Sequence, residues 1–302
     1  MQLKLMKQFT YSINPETLGL FYGFLGVLGF SLTLPATRVA VTDFDAVFVG
    51  LGRAVVASVL AILILWVTRQ PLPPRKLWPS LIIVAMGVII GFPLLSAWAM
   101  QQLPAAHGAI ITGLVPLATA IVATVRVGER PSFQFWIASI TGSTTIVLFV
   151  LFSSGGSIQG AHVLLLGASF AAAIGYAEGG KLASILGGWQ VICWALVFIA
   201  PILLIPVTLS IFEHGLIASP HAWLGFGYVS IISQFVAFFA WYHGMKVAGV
   251  ARVSQIQLLQ PFLTILFSAW LLHEQVTPLM LLATCIVIAC VFIGKKALIR
   301  RR

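Results

Sequence analysis

Ten apolar runs, each close to the length a helix needs to cross a bilayer, follow one another with only short polar connections. A hydrocarbon core roughly 30 Å thick takes about 20 helical residues, and backbone groups inside lipid must find their partners within a helix or a closed barrel. On that ruler, spans are expected at 17–38, 46–68, 77–100, 105–126, 132–152, 161–182, 189–212, 221–246, 250–272 and 277–294. With 60% of residues apolar and 8% charged, no soluble domain fits between them. The expected fold class is an all-α integral membrane protein of ten transmembrane helices.

The chain also repeats itself. Shifted by 145 residues, Ala105–Glu129 falls on Val250–Glu274 with identities at Ala106/Ala251, Ile111/Ile256, Leu114/Leu259, Pro116/Pro261, Thr119/Thr264 and Glu129/Glu274. Each copy is a helix-length run with a proline near its centre and a glutamate just past its end. This divides the chain into two five-helix halves, 1–153 and 154–302. Five is odd, so the second half enters the membrane from the opposite side and the repeats are inverted. Two mirror-related packings of such halves have similar energies, which is the physical basis of alternating access.

The net charge of +10 follows from topology. With both termini cytoplasmic, Lys4, Lys7, Arg69, Arg75, Lys76, Arg126, Arg130, Lys181, Lys246, Arg252, Lys295, Lys296 and Arg300, Arg301 and Arg302 collect on one face, leaving Arg38 on the other and Arg53 within a span. That asymmetry sets orientation without calling for nucleic acid as a partner. The basic tail is also placed to touch anionic lipid. Cys193, Cys285 and Cys290 fall inside spans as packing residues, and no spacing suggests a metal or cofactor. The six histidines are scattered over separate spans and loops, and neither a convergent catalytic set nor a filter loop is visible.

Within the spans, polar groups mark candidate sites. The first span has glycines at 19, 23, 26 and 29 and the sixth has Gly175 and Gly179, a spacing that lets backbones approach. Ser31 and Thr33 precede Pro35, where their hydroxyls can satisfy the carbonyls that the proline frees. Arg53 lies about four residues, or roughly 6 Å, from the midpoint of the second span. Two readings stay open: snorkelling toward Asp43 and Asp45, or facing a cavity and a substrate carboxylate. Pro116 and Pro261 break backbone hydrogen bonding and leave the carbonyls of Thr112 and Gln257 without their usual partners. Ser254, Gln257, Gln260, Thr264 and Ser268 form a polar stripe on the ninth span, with Gln234 placed to join it. The stripe reads either as a cavity wall or as an interhelical hydrogen-bond network. Trp98 near the end of the third span and Trp241, Tyr242 and His243 on the eighth read as interfacial anchors or as facing gates. Glu178 is either an intramembrane proton carrier or the partner of Lys181 three residues on.

The two repeat runs, with Pro116 and Glu129 in one and Pro261 and Glu274 in the other, resemble the EamA-type branch of the drug/metabolite transporter superfamily. Arg53 matches a second-span arginine common among those relatives. The resemblance implies a ten-helix inverted-repeat carrier of the inner membrane, commonly an exporter of amino acids or similar small metabolites. Two features depart from related patterns: Glu16 precedes the first span where small multidrug relatives embed a carboxylate within it, and Gly113, Leu114 and Val115 stand where exporters of aromatic amino acids carry aromatic residues.

The expected function is secondary transport of a small-molecule solute, with protons as candidate coupling ions, lipids as surroundings, and a monomer or homodimer as the unit. The alternatives are a membrane scaffold or a membrane-embedded enzyme. The expected cavity wall is Trp98, Thr112, Tyr176, Gln234, Trp241, Gln257 and Gln260.

Overall fold

Long helices occupy the positions the apolar runs set, and in lipid every backbone donor has to be satisfied within them. The structure is a computed structural model that describes residues 14–126, 130–153, 160–275, 277–279, 282–283, 285–286, 289–290, 293 and 299–300. Among these, eight helices are long and apolar enough to cross a membrane. They are α1 (Pro15–Ala40), α2 (Phe48–Val67), α3 (Arg75–Met100), α4 (Ala105–Thr124), α6 (Gly160–Leu186), α7 (Gly188–His214), α8 (Pro220–Ala248) and α9 (Val250–Leu272). A further helix, α5 (Phe133–Ser153), stands at the fifth expected span. The tenth, 277–294, is described only at scattered residues, and the boundary at 153/154 adjoins residues outside those described. A two-residue antiparallel ladder, Arg130–Pro131 (β1) against Ile299–Arg300 (β2), pairs Arg130 with Arg300.

Local chemistry explains where the helices start. Asn14 Oδ1 accepts from the Glu16 N–H at 3.0 Å, with Pro15 at the first helical position. Asp45 Oδ2 accepts from the Val47 N–H at 2.9 Å at the entry to α2, and Ser219 Oγ from the Ala222 N–H at 3.3 Å at the entry to α8. Gly249, at φ 94°, makes the tight turn between α8 and α9.

The repeat reappears as matched irregularities in the backbone. In α3, Ala85–Gly91 is wound as a π-helix, and in α8 so is Val229–Val236. In α4 the helix interrupts after Thr112 and resumes at Val115, and in α9 the turn tightens to 3-10 over Gln257–Leu259. Both pairs lie one repeat apart, whereas a third π-wound segment, Phe48–Gly52 at the start of α2, has no counterpart in α7. The carbonyl of Gln257, which Pro261 leaves without an i+4 donor, is taken by the Gln260 N–H through that tightened turn.

Close packing is antiparallel in pairs that exchange when the halves are exchanged. α1 runs against α8, with Gly19 meeting Ala248, Gly26 meeting Trp241 and Gly225 meeting Ala36. α6 runs against α3 in the same way, with Gly175 meeting Gly87 and Gly167 meeting Leu95. The equivalents α2 and α7 oppose one another, with Asp45 near the start of one bonded to Ser210 near the end of the other at 2.7 Å. Ala106 at the start of α4 likewise donates to Glu274, just past α9, at 3.2 Å. Large apolar side chains such as Val59, Ile62, Ile205, Phe212 and Trp270 point outward, as a lipid solvent allows.

Candidate functional site

Midway along the bundle the π-wound segments of α3 and α8 touch, and the polar groups converge there. Gln234 Nε2 donates to the Val88 carbonyl at 3.2 Å, joining the irregular turn of α8 to that of α3. A π-turn widens the helix and displaces the residues it carries, a deformation often found at functional sites. Around this junction lies a small central cavity. Its walls are Phe30 and Thr33 from α1, Arg53 from α2, Val88 and Phe92 from α3, Tyr176 from α6, Ser233 and Phe238 from α8, and Gln260 from α9. Its volume is ≈ 10 Å³, the room of about one water molecule.

Among the described residues Arg53 is the only basic one on this wall, and it is 2% exposed. Its Nη2 donates to Ser233 Oγ at 2.9 Å, and Ser233 Oγ lies 2.7 Å from Thr33 Oγ1. Its Nε and Nη1 have no hydrogen-bond partner among the described residues. Snorkelling toward Asp43 and Asp45 is not what the side chain does. Asp43 accepts instead from the Ser219 N–H at 2.8 Å, and Asp45 is held by Val47, Phe48 and Ser210. Asp43 lies in the loop outside the spans, where the Ser219 hydroxyl and then its backbone N–H hold the carboxyl below its ordinary value.

One side of the cavity is sealed by aromatic packing. Tyr176 meets Trp241 at 5.3 Å between ring centroids, Phe30 meets Phe238 at 4.9 Å, and Tyr242 donates to the Gly175 carbonyl at 3.2 Å. Trp241 and Tyr242 are fully buried. This seal lies toward the end that carries Lys246, where Arg252 also pairs with Glu16. Toward the other end, that of Asp43, the wall residues Phe92 and Gln260 keep partial exposure.

The residues expected at the wall are therefore only partly assembled there. Tyr176 and Gln260 line the cavity directly. Gln257 is buried behind them and donates to Gln260 Oε1 at 3.2 Å, while Gln234 sits beside Ser233 on the π-turn. Trp241 belongs to the seal. Trp98 and Thr112 do not reach the cavity: Trp98 is partly buried near the Asp43 end of α3, and Thr112 spends its hydroxyl on the Gly108 and Ala109 carbonyls of its own helix. The stripe on α9 does turn inward, with Ser254, Gln257, Thr264 and Ser268 all at most 3% exposed.

Other polar residues also found partners in the fold. Ser31 bonds the Val27 carbonyl and Thr33 reaches across to α8, so neither takes up the carbonyl that Pro35 frees. Glu178, 2% exposed, accepts from Ser80 Oγ at 2.6 Å, while Lys181 lies exposed. Of the two repeat glutamates, Glu274 caps α4, where Pro104 offers no side-chain acceptor. Glu129 lies outside the described residues. Sequence reasoning did not select Phe30, Thr33, Val88, Phe92, Ser233 and Phe238 as wall residues. Only Thr33 and Ser233 carried a polar signal, Thr33 beside Pro35 and Ser233 one position before Gln234.

Comparison with known proteins places this geometry in context. A model described as the EamA-like transporter family matches residues 17–151 and again 159–294. The chain is 42% identical over 292 residues to a Bacillus subtilis (strain 168) protein described as "Uncharacterized transporter YdeK", covering 94% of this chain and 99% of that one. It is 25% identical over 290 residues to a Streptantibioticus cattleyicolor protein described as "Probable terminal-alkyne amino-acid exporter", covering 92% and 94%. One solved crystal structure shares the fold with a TM-score of 0.70 over 91% of this chain and 96% of its own, at 17% identity.

Proposed function

The chain belongs to the EamA-like transporter family, and from that premise we propose that it is a secondary transporter of small polar metabolites, exporting amino acids or their derivatives across the inner membrane by alternating access. The observation that carries this reading is the buried Arg53, set with Ser233, Thr33, Tyr176 and Gln260 around a cavity between antiparallel halves. A polar centre in lipid is costly to hold, and the charged groups that membrane proteins keep there mark solute or ion pathways. The relative described as an amino-acid exporter points to the same solute class.

The chain spans the membrane ten times as two inverted repeats, with both termini and the Lys246 end cytoplasmic, as the basic residues direct. In this conformation the aromatic seal of Trp241, Tyr176, Phe30 and Phe238 closes the cytoplasmic route. The cavity has room for one water, so loading a solute requires its walls to part. The π-turns of α3 and α8 and the interruptions of α4 and α9 supply the compliance, because their backbones are already released from regular helical bonding. Glu178, buried against Ser80, is the candidate for proton coupling.

Counterflow in proteoliposomes tests this. Vesicles preloaded with one of a panel of amino acids, nucleosides or sugars should take up labelled solute saturably for amino acids, with a pH gradient changing the rate if Glu178 carries protons. Protein that inserts and folds yet moves none of the panel in either direction would overturn the proposal.

A further inference from the structure

Six of the seven acidic residues of the chain are among those described, and each has another placement. Glu16 pairs with Arg252, Asp43 with Ser219, Asp45 with Ser210 and the start of α2, Glu178 with Ser80 and Glu274 with Ala106, while Glu213 is exposed. None pairs with Arg53, which is buried with one hydrogen bond to a serine. A buried cation without a counter-charge is among the most expensive things a membrane protein can hold.

The guanidinium is planar and carries five N–H donors, two on each terminal nitrogen and one on Nε. The bond to Ser233 uses one of the two hydrogens on Nη2. Whichever hydrogen that is, one edge of the fork keeps both donors, either Nε with Nη2 or Nη1 with Nη2. Each edge matches the spacing of two carboxylate oxygens. Ser233, itself bonded to Thr33, holds the guanidinium. Gln260, whose Oε1 is already occupied by Gln257, has its amide N–H₂ left by that bond for a second contact.

Building on the transport reading above, the geometry points to Arg53 as the anchor for a carboxylate on the solute, bound edge-on through two parallel N–H···O bonds inside the cavity. The solute thus supplies the missing counter-charge, and the empty and loaded carriers differ by the neutralisation of one deeply buried cation. The bland alternative, a guanidinium held only to brace α2 against α8, would leave binding indifferent to the carboxylate.

The test uses the full chain in lipid nanodiscs and measures thermal stabilisation by each of the twenty L-α-amino acids against its carboxamide and its decarboxylated amine, with inorganic phosphate and chloride as further probes. The expected result is that the stabilising amino acids bind at least about thirtyfold more weakly once the carboxylate becomes a carboxamide, roughly 2 kcal/mol at about 1.4 kcal/mol per tenfold. Arg53→Lys keeps the charge but not the fork, and should weaken the acid by a similar factor while leaving the carboxamide unchanged. If that variant does not fold, the comparison of acid with carboxamide on the unaltered protein decides alone. Equal binding of acid and carboxamide overturns the proposal, as does phosphate or chloride binding as tightly as the carboxylate. Transport of sugars or nucleosides without any amino acid overturns it while leaving the transporter reading standing; absence of transport for every solute removes both.

Discussion

Replacing Gly244 by alanine tests the close approach of α1 and α8. A Cβ built at Gly244 would lie 2.6 Å from the Gly19 carbonyl oxygen and 2.8 Å from the Gly23 nitrogen, where ordinary contact begins near 3.4 Å. Both neighbours are backbone, so no side chain can swing away and the helices must part by about 0.8 Å. Overpacking of this kind costs about 1–3 kcal/mol. The same substitution at Gly227, on the same helix with nothing within 4 Å, meets no obstacle and should stabilise by about 0.4–1 kcal/mol through lost freedom of the unfolded chain. Unfolding of purified protein in detergent, followed by intrinsic fluorescence, should show the Gly244→Ala midpoint lowered by about 2–12 °C and that of Gly227→Ala unchanged or raised by a few degrees. Two variants shifting in the same direction by the same amount would refute backbone contact as the reason for glycine at position 244.

Other consequences follow from single contacts. Glu274→Ala removes the only side-chain acceptor described at the start of α4 and should cost about 1 kcal/mol in the same assay, with Glu274→Gln recovering part of it. Ser233→Ala leaves Arg53 without its one described acceptor and should destabilise by about 1–3 kcal/mol, more than Ser31→Ala, whose hydroxyl serves only its own helix. Gln260→Ala should slow counterflow severalfold while expression and membrane insertion stay at the level of the unaltered chain; undiminished counterflow would remove Gln260 from the wall. Asp43 has a folded-state carboxyl lowered by Ser219, so its contribution is present above the ordinary carboxylate value of 3.8 and is lost as pH falls through the folded one. Acidification should loosen the contact between the α1–α2 loop and Ser219, seen as a lower protection factor for hydrogen exchange at the Ser219 amide, taken against the intrinsic rate at each pH. Asp43→Asn should make that protection factor less sensitive to pH.

Several parts of the site were legible before any coordinates. The proline positions in the repeat anticipated the interruptions of α4 and α9, because a residue without an N–H disturbs a helix wherever the fold puts it. The stripe on α9 had to face protein, since lipid offers amides no partners, and it does. Arg53 stood out because a cation near mid-membrane is rare. Its direction was not readable: α2 is apolar all round, so periodicity assigns no inner face, and nearby aspartates suggested the wrong partner. Trp98 and Thr112 do not line this cavity. Thr112 had a carbonyl donor shortage beside it in sequence, yet its hydroxyl found acceptors one turn back.

Apolar length, charge asymmetry and internal repetition are properties of the covalent chain, and they set the spans, the duplication and the expected inversion by themselves, because lipid penalises unsatisfied backbone and misplaced charge wherever they fall. Which faces meet is a different matter. The pairing of α1 with α8, the contact between the π-turns of α3 and α8, the aromatic seal and the turning of Arg53 toward Ser233 all depend on how small residues let backbones approach between segments far apart in sequence. Such contacts are decided by shape complementarity between helices, which hydropathy does not encode.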